Sequence, residues 1–314
     1  MINRPREPDL GVALTETGAR PSADGRRSSA FAALYDRAVD DLLDGAVDET
    51  WVETGAGRTH VLTVGDPAAP PAVVFQGGNV TAPVTLAWVR ELADAYYLVA
   101  PDTPGQPGKD ALTEPAEFGP WVVDVLDGLD IDRSAMIGIS HGGGVLLEAA
   151  VHAPERIEAA VLVAPAGFGS PLSPALARIV LPSLAYRFLP RRRTLDWALT
   201  PMFTQPLRRV EDVTVRTIGQ ALRTSDLAAA FPGPDDLGRL RSFAAPTLLV
   251  LGERDPFFPV KRTSRQAERA LPSLVETVTL PEERHFLSPA GQARTTDAVR
   301  SFLTAHLADD RGKR

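Results

Sequence analysis

The pentapeptide Gly138-Ile139-Ser140-His141-Gly142 is the stretch of this 314-residue chain whose residue types and spacing suit covalent chemistry. A serine hydroxyl attacks a carbonyl only when it is exposed, oriented and next to a base. Arg133 to Ile139 is a short, largely apolar run, and Val145 to Ala150 continues as a helix former with Glu148 as its single charge. A strand that turns sharply into a helix leaves no room for side chains at the bend, and Gly138 and Gly142 meet that need. Ser140 then sits above a helix N-terminus, where the dipole and free N–H groups favour negative charge. G-x-S-x-G alone is a common pattern. The strand–turn–helix order around it is what gives it weight.

The base that activates such a serine is sought among five histidines. His306 falls in a closing helical pattern and reads as a surface residue. His152 stands near the end of the helix that follows Ser140, where a cation suits the dipole. His60 reads as a structural residue on a strand. His141 adjoins Ser140, but neighbouring side chains diverge on a sharp turn, so its backbone N–H is the group expected to contribute. His285 follows the last strand pattern, Leu274 to Leu280, in a loop at the carboxyl edge of a parallel sheet, where sites assemble. It is the expected base. The orienting acid should also leave a strand's carboxyl end. Pro246 to Leu251 leads to Glu253 and Asp255, of which Glu253 is expected to face solvent. Asp102 also follows a strand and is a candidate for the mouth of the site. Asp124, Asp127, Asp130 and Asp132 read as solvated or capping residues.

These positions call for alternating strands and helices. Ser29 is expected to cap a helix to about Leu43, with Phe31, Leu34, Tyr35, Ala38 and Leu42 on one face. Thr50 to Val64 reads as two strands turning at Gly55-Ala56-Gly57. Ala72 to Phe75 is a buried strand that ends in the loop Gln76-Gly77-Gly78-Asn79, and Thr81 to Ala93 is a helix. Tyr96 to Ala100 is a strand followed by the proline- and glycine-rich loop Asp102 to Lys109, and Phe118 to Leu129 is a helix. After the strand Ile157 to Ala164 the alternation stops. Helical patterns at Ala175 to Phe188 and Val210 to Leu222, separated by prolines, fill the gap to about Leu240. Arg191-Arg192-Arg193 reads there as a solvated charge run. The expected organisation is a disordered tail over 1–28, an α/β core from 29–166 and 241–308, and a helical cap over 167–240.

Val73 to Asn79, Asp102 to Gly108, Gly138 to Gly143, Leu251 to Asp255 and His285-Phe286 occur in this order over roughly residues 50 to 307. In that set the chain resembles the α/β-hydrolase superfamily, in its cap-bearing serine esterase-like branch. The resemblance implies an α/β fold with a mostly parallel sheet flanked by helices. It implies a triad of Ser140, Asp255 and His285, and an oxyanion hole made by the backbone N–H groups of His141 and Gly78, or Gly78's neighbour Asn79. The chain departs from the family pattern at Gln76, where a histidine is usual, and at Lys109, where a serine is common. The implied reaction is hydrolysis of a carboxylic ester or thioester through an acyl-enzyme, with no metal or organic cofactor. The same scaffold serves C–C bond hydrolysis, lyase and acyl-transfer chemistry. A non-catalytic binding module would require a broken triad. The cap is expected to shape an apolar substrate pocket lined by Asn79, Phe168, Trp197, Met202, Phe203 and Phe286.

Bulk properties narrow the partners. A net charge of −7 argues against nucleic acid. With no cysteine, disulfides, a thiol nucleophile and cysteine-bound metal are excluded. There is no run of 18 apolar residues and Met1 to Ser29 lacks an apolar leader core, so no membrane association is expected and the cytoplasm is the expected location. The expected partner is a small apolar acyl compound, and a homodimer is left open.

Overall fold

Strands covered on both faces must be apolar almost throughout, and the middle of this chain supplies them. The computed structural model describes residues 23–45, 47–109, 111–112, 117–168, 174–224 and 231–311. Its strands are β1 (Asp48–Thr54), β2 (Gly57–Val64), β3 (Pro71–Phe75), β4 (Tyr97–Pro101), β5 (Ala111–Leu112), β6 (Ser134–Ile139), β7 (Ile157–Val163), β8 (Thr247–Gly252) and β9 (Leu274–Leu280). They form one sheet in the order β1-β2-β4-β3-β6-β7-β8-β9, with β5 paired to β2. Pairs from β4 to β9 are parallel; β2 is antiparallel to its neighbours. Every residue of β6 and β8 is buried.

The helices are α1 (Ala23–Leu42), α2 (Ala82–Leu86), α3 (Phe118–Gly128), α4 (His141–His152), α5 (Pro174–Phe188), α6 (Arg192–Leu199), α7 (Asp212–Thr224), α8 (Val260–Ala270) and α9 (Pro289–Arg311). One core joins Phe75, Met136, Trp121 and Leu146, placing α3 and α4 on one sheet face. The other joins Tyr35, Val74, Leu86 and Leu303, placing α1, α2 and α9 on the opposite face. The buried Trp121 indole donates to Thr59 Oγ1 at 2.9 Å, which removes the cost of burying its N–H. Helices α5 to α7, between β7 and β8, share a separate cluster that includes Ile179, Tyr186, Leu195, Phe203 and Ile218 and reaches Val84 on α2. No helix of the described residues is long and apolar enough to cross a membrane.

Two expectations change. The first helix starts at Ala23, so Ser29 lies inside it rather than capping it; the rest of the expected tail, 1–22, lies outside the described residues. The helix expected over Thr81 to Ala93 is two pieces, because α2 ends at Leu86 and a 3₁₀ turn follows at Arg90–Asp94. Val84, Thr85 and Val89 are β-branched and lower helix propensity, and Trp88 N–H already bonds back only three residues, to Thr85 O.

A buried polar cluster fastens α1 to the sheet. His60 on β2 is fully buried. Its Nδ1 lies 3.2 Å from Asp102 Oδ2 and 3.2 Å from the Tyr35 hydroxyl, and its Nε2 donates to Glu49 Oε2 at 2.8 Å. Asp102 Oδ2 also accepts the Lys109 backbone N–H at 2.7 Å, while Lys109 Nζ bonds Glu49. Asp102 therefore sits beneath its loop, fully buried, and not at the mouth of a site. Its place is structural because Gly108 packs so closely that a Cβ there would come within 2.7 Å of its carboxyl carbon.

Burial works against the His60 imidazolium, but hydrogen bonds and charge from Asp102 and Glu49 outweigh it and raise its pKa above 6.5. A raised folded-state value gives stability that is complete below 6.5 and is lost as pH climbs through the folded value. Melting temperature should therefore fall as pH rises from just below 6.5 into the alkaline range. His60→Gln should melt lower but with a flatter pH response; an unchanged slope would show that His60 does not carry the effect.

Candidate active site

The chain passes from β6 into α4 through Ser140, whose backbone takes φ 53° and ψ −112°. A non-glycine residue there is strained, and such strain persists only where the surroundings enforce it. Here they do. Ser140 N–H donates to Val163 O on β7 at 2.9 Å, and Ser140 O accepts from Ala166 N–H at 2.9 Å. A Cβ on Gly138 would lie 2.7 Å from the Gly142 carbonyl carbon, and one on Gly142 would collide with the Phe75 carbonyl. The first turn of α4 thus rides directly on the end of β3.

Three elements far apart in sequence meet at this turn. Ser140 Oγ–H donates to His285 Nε2 at 2.9 Å, and His285 Nδ1–H donates to Asp255 Oδ2 at 2.8 Å. Asp255 Oδ1 accepts the backbone N–H groups of Phe257 and Phe258 at 2.7 and 3.1 Å. These bonds hold the carboxylate as an acceptor towards the imidazole. The rings of Phe257, Phe258 and Phe286 flank His285. All three members are buried, so the bonds are shielded from water. The loop that carries His285 is braced by Arg254 N–H on Glu283 O, and by the buried Glu283 carboxylate accepting Ser288 N–H. Glu253 is elsewhere: it is exposed and accepts the Glu282 N–H. His152 packs against Gly119 and His306 beside Phe302, away from the turn.

The loop after β3 offers one unspent donor. Gly77 N–H donates to Thr85 Oγ1 at 3.1 Å and Asn79 N–H to Gln106 Oε1 at 2.9 Å. Gly78 N–H has no partner among the described residues. His141 is the first residue of α4, where helical N–H groups have no intrahelical acceptor. The two residues adjoin, since a Cβ on Gly78 would lie 3.4 Å from His141 Cβ. A negative oxygen near Ser140 would meet both donors.

Gln106 binds these two halves together. Its Oε1 holds Asn79, and its Nε2 donates to His141 Nε2 at 3.1 Å. Burial pushes the His141 pKa down to about 4, so its ring is neutral. With its Nε2 lone pair occupied by Gln106, it is not a rival base. Gln76 is also fully employed: Oε1 accepts Thr103 N–H, and Nε2 donates to Val80 O and Pro107 O. One amide therefore ties the Gly78 loop to the Asp102–Lys109 loop.

The space beside Ser140 is lined by Gly78, Val84, Trp88, Ile139, Ala164 and Phe286 and measures about 20 Å³. Of the sequence-predicted lining, only Phe286 borders it. Trp197 is 55% exposed on α6 and is corrected to a surface residue. Phe168 belongs to the core under α4. Met202 is buried and its carbonyl accepts the Phe286 N–H, while Phe203 stacks on Phe286 at 4.3 Å between centroids. Asn79 contributes to loop geometry through its N–H. Sequence reasoning missed Gln106 and Trp88. Gln106 has no telltale beyond its place in a turn, and Trp88 was hidden in a helix read as continuous.

The chain belongs to the alpha/beta hydrolase family, whose profile matches residues 77–298. It is similar to an uncharacterized carboxylesterase, nap, of Bacillus subtilis strain 168, at 24% identity over 83% of this chain and 88% of that protein. It is 29% identical to 2-hydroxymuconate semialdehyde hydrolase of Pseudomonas sp. strain CF600 over 67% of this chain and 78% of that one. The crystal structure of naproxen esterase from Bacillus subtilis superposes with a TM-score of 0.76 at 23% identity, covering 91% of this chain and all of the other.

Removing the Gln106 side chain as Gln106→Ala leaves Asn79 N–H and His141 Nε2 without their bonds. Each lost partner costs about 1–3 kcal/mol, so with two lost, unfolding in urea should show a loss of about 2 kcal/mol or more. A change of only a few tenths would mean the amide does not hold the two loops.

Proposed function

We propose that this protein is a serine hydrolase that cleaves a carboxylic ester or thioester through an acyl-enzyme. The observation that carries the reading is the unbroken hydrogen-bond chain from Ser140 through His285 to Asp255, next to the two free donors at Gly78 and His141. Ser140 Oγ attacks the carbonyl carbon as His285 Nε2 takes its proton. Asp255 keeps the imidazole turned towards Ser140 and stabilises the cation. The Gly78 and His141 N–H groups bind the oxyanion, a contribution of about 3 kcal/mol per donor where measured in other hydrolases. His285 returns the proton to the leaving alcohol or thiol. It then takes one from water, whose oxygen attacks the acyl carbon, and passes that proton to Ser140 Oγ as the acyl–oxygen bond breaks and the acid leaves.

The lining of Val84, Trp88, Ile139 and Phe286 favours an apolar acyl group. Phe286 borders this space and Phe203 stacks on its ring, so these two rings limit where an acyl chain can lie. Phe203 lies in the 167–240 segment, and that is the sense in which we read the segment as a cap. The carboxylesterase named among the relatives favours ester chemistry. The semialdehyde hydrolase supports C–C bond hydrolysis as the second reading, which uses the same three residues.

Turnover of nitrophenyl esters of graded acyl length tests the proposal. His285→Ala and Asp255→Asn should each lower kcat by roughly 10,000-fold. Activity within tenfold of the unaltered enzyme in His285→Ala would remove His285 as the base. Cleavage of a vinylogous 1,5-diketone with no ester turnover would favour the second reading.

A further inference from the structure

Helix α5 turns one side inward: Ile179 and Tyr186 join the cluster it shares with α6 and α7. Its other side is apolar and exposed. Leu181, Leu184 and Phe188 follow at spacings of three and four and are 62%, 38% and 83% exposed. Val180 and Leu189 widen the strip, and Trp197 on α6 is 55% exposed. Most of the large apolar side chains exposed among the described residues thus lie within about 18 positions of one another. Scattered exposed leucines are ordinary, but a helix face bearing phenylalanine and leucine at helical spacing is not.

The rim of this strip is basic. Arg178, Arg191, Arg192 and Arg193 are exposed, and the single acid between Arg178 and Trp197 is Asp196, paired with Arg192 at 2.8 Å. A concentration of arginine in a chain of net charge −7 is a local field opposite in sign to the whole. An apolar face edged by arginine, with an aromatic residue at its border, suits the boundary between lipid headgroups and acyl chains. The apolar side chains enter the boundary while the long arginine stems keep their charges at the headgroups.

We infer that the α5–α6 face docks on an anionic lipid surface. This is a surface contact and needs no membrane-crossing segment. Charge selects the partner: a second copy of this chain would bring the same arginines against themselves across a twofold contact, whereas an anionic bilayer complements them. The face also leads to the site. Helix α6 runs into Met202 and Phe203, and Met202 O accepts from Phe286 N–H while Thr204 N–H donates to Phe286 O. A contact made by Trp197 is thus a few residues from the side chain that closes the pocket, and an apolar acyl substrate partitions into the same lipid layer.

Flotation of the full-length protein with vesicles tests this without using its chemistry. Wild type should float with phosphatidylcholine vesicles containing phosphatidylglycerol, at low salt, and stay behind with phosphatidylcholine alone. Leu181→Ser with Phe188→Ser, and separately Arg191, Arg192 and Arg193 each changed to Gln, should lower the bound fraction by about tenfold or more. The altered residues are exposed, so melting curves should match wild type and exclude misfolding. No flotation with either vesicle, or equal flotation of wild type and variants, overturns the inference. A dimer in solution that Phe188→Ser dissolves, with no vesicle binding, assigns the face to a second copy and also overturns it.

Discussion

The closeness of α4 to the end of β3 is the constraint from which the rest follows. Because Gly142 lies against the Phe75 carbonyl, the first turn of α4 can begin immediately after β6. That brings His141 beside Gly78, three residues beyond Phe75. The same closeness forces Ser140 into its strained backbone and holds its hydroxyl out of the sheet. A methyl group at Gly138 or Gly142 would separate the elements by more than a close-packed interior can absorb. The strained Ser140 turn and the adjoining Gly78 and His141 N–H groups are thus two consequences of one steric condition.

Around that turn, buried polar groups are satisfied by amides as much as by charges. Gln76 and Gln106 make five hydrogen bonds between them, joining β3's loop, the Asp102–Lys109 loop and α4. A neutral amide can both donate and accept, so it crosslinks loops at no cost in buried charge. Two buried carboxylate–histidine pairs have different tasks. Asp255 is paired with His285 beside Ser140. Asp102 is paired with His60 below the loop, where it anchors Tyr35 and so α1.

Much of this was legible in the sequence because its carriers are local. The sharp turn needs small residues around a serine, so Gly138, Ser140 and Gly142 mark it. Apolar runs of strand length mark β3, β6, β7 and β8, since strands covered on both faces have no other way to read. Asp255 was reachable because it follows such a run, and His285 because it follows the edge strand β9 at the same end of the sheet. What did not show is what depends on side-chain partners distant in sequence. Glutamine has no positional signature, so Gln106 is silent until the loop is folded over His141. His60 and Asp102 read as separate residues, one on a strand and one in a loop, and only β2 pairing with β4 brings them together. Aromatic residues in the 167–240 segment misled for the opposite reason. Burial was assumed from residue type, but Trp197 faces outward because Leu195, Ala198 and Leu199 already fill the inner side of α6.

Covalent labelling tests Ser140 as the nucleophile most directly. The protein is treated with a fluorophosphonate, which transfers its phosphonyl group to an activated serine with loss of fluoride, and the intact mass is then measured. One adduct per chain, mapped to the peptide that contains Ser140 and absent in Ser140→Ala, is the expected result. No adduct on the unaltered protein, or an adduct that persists in Ser140→Ala, contradicts it.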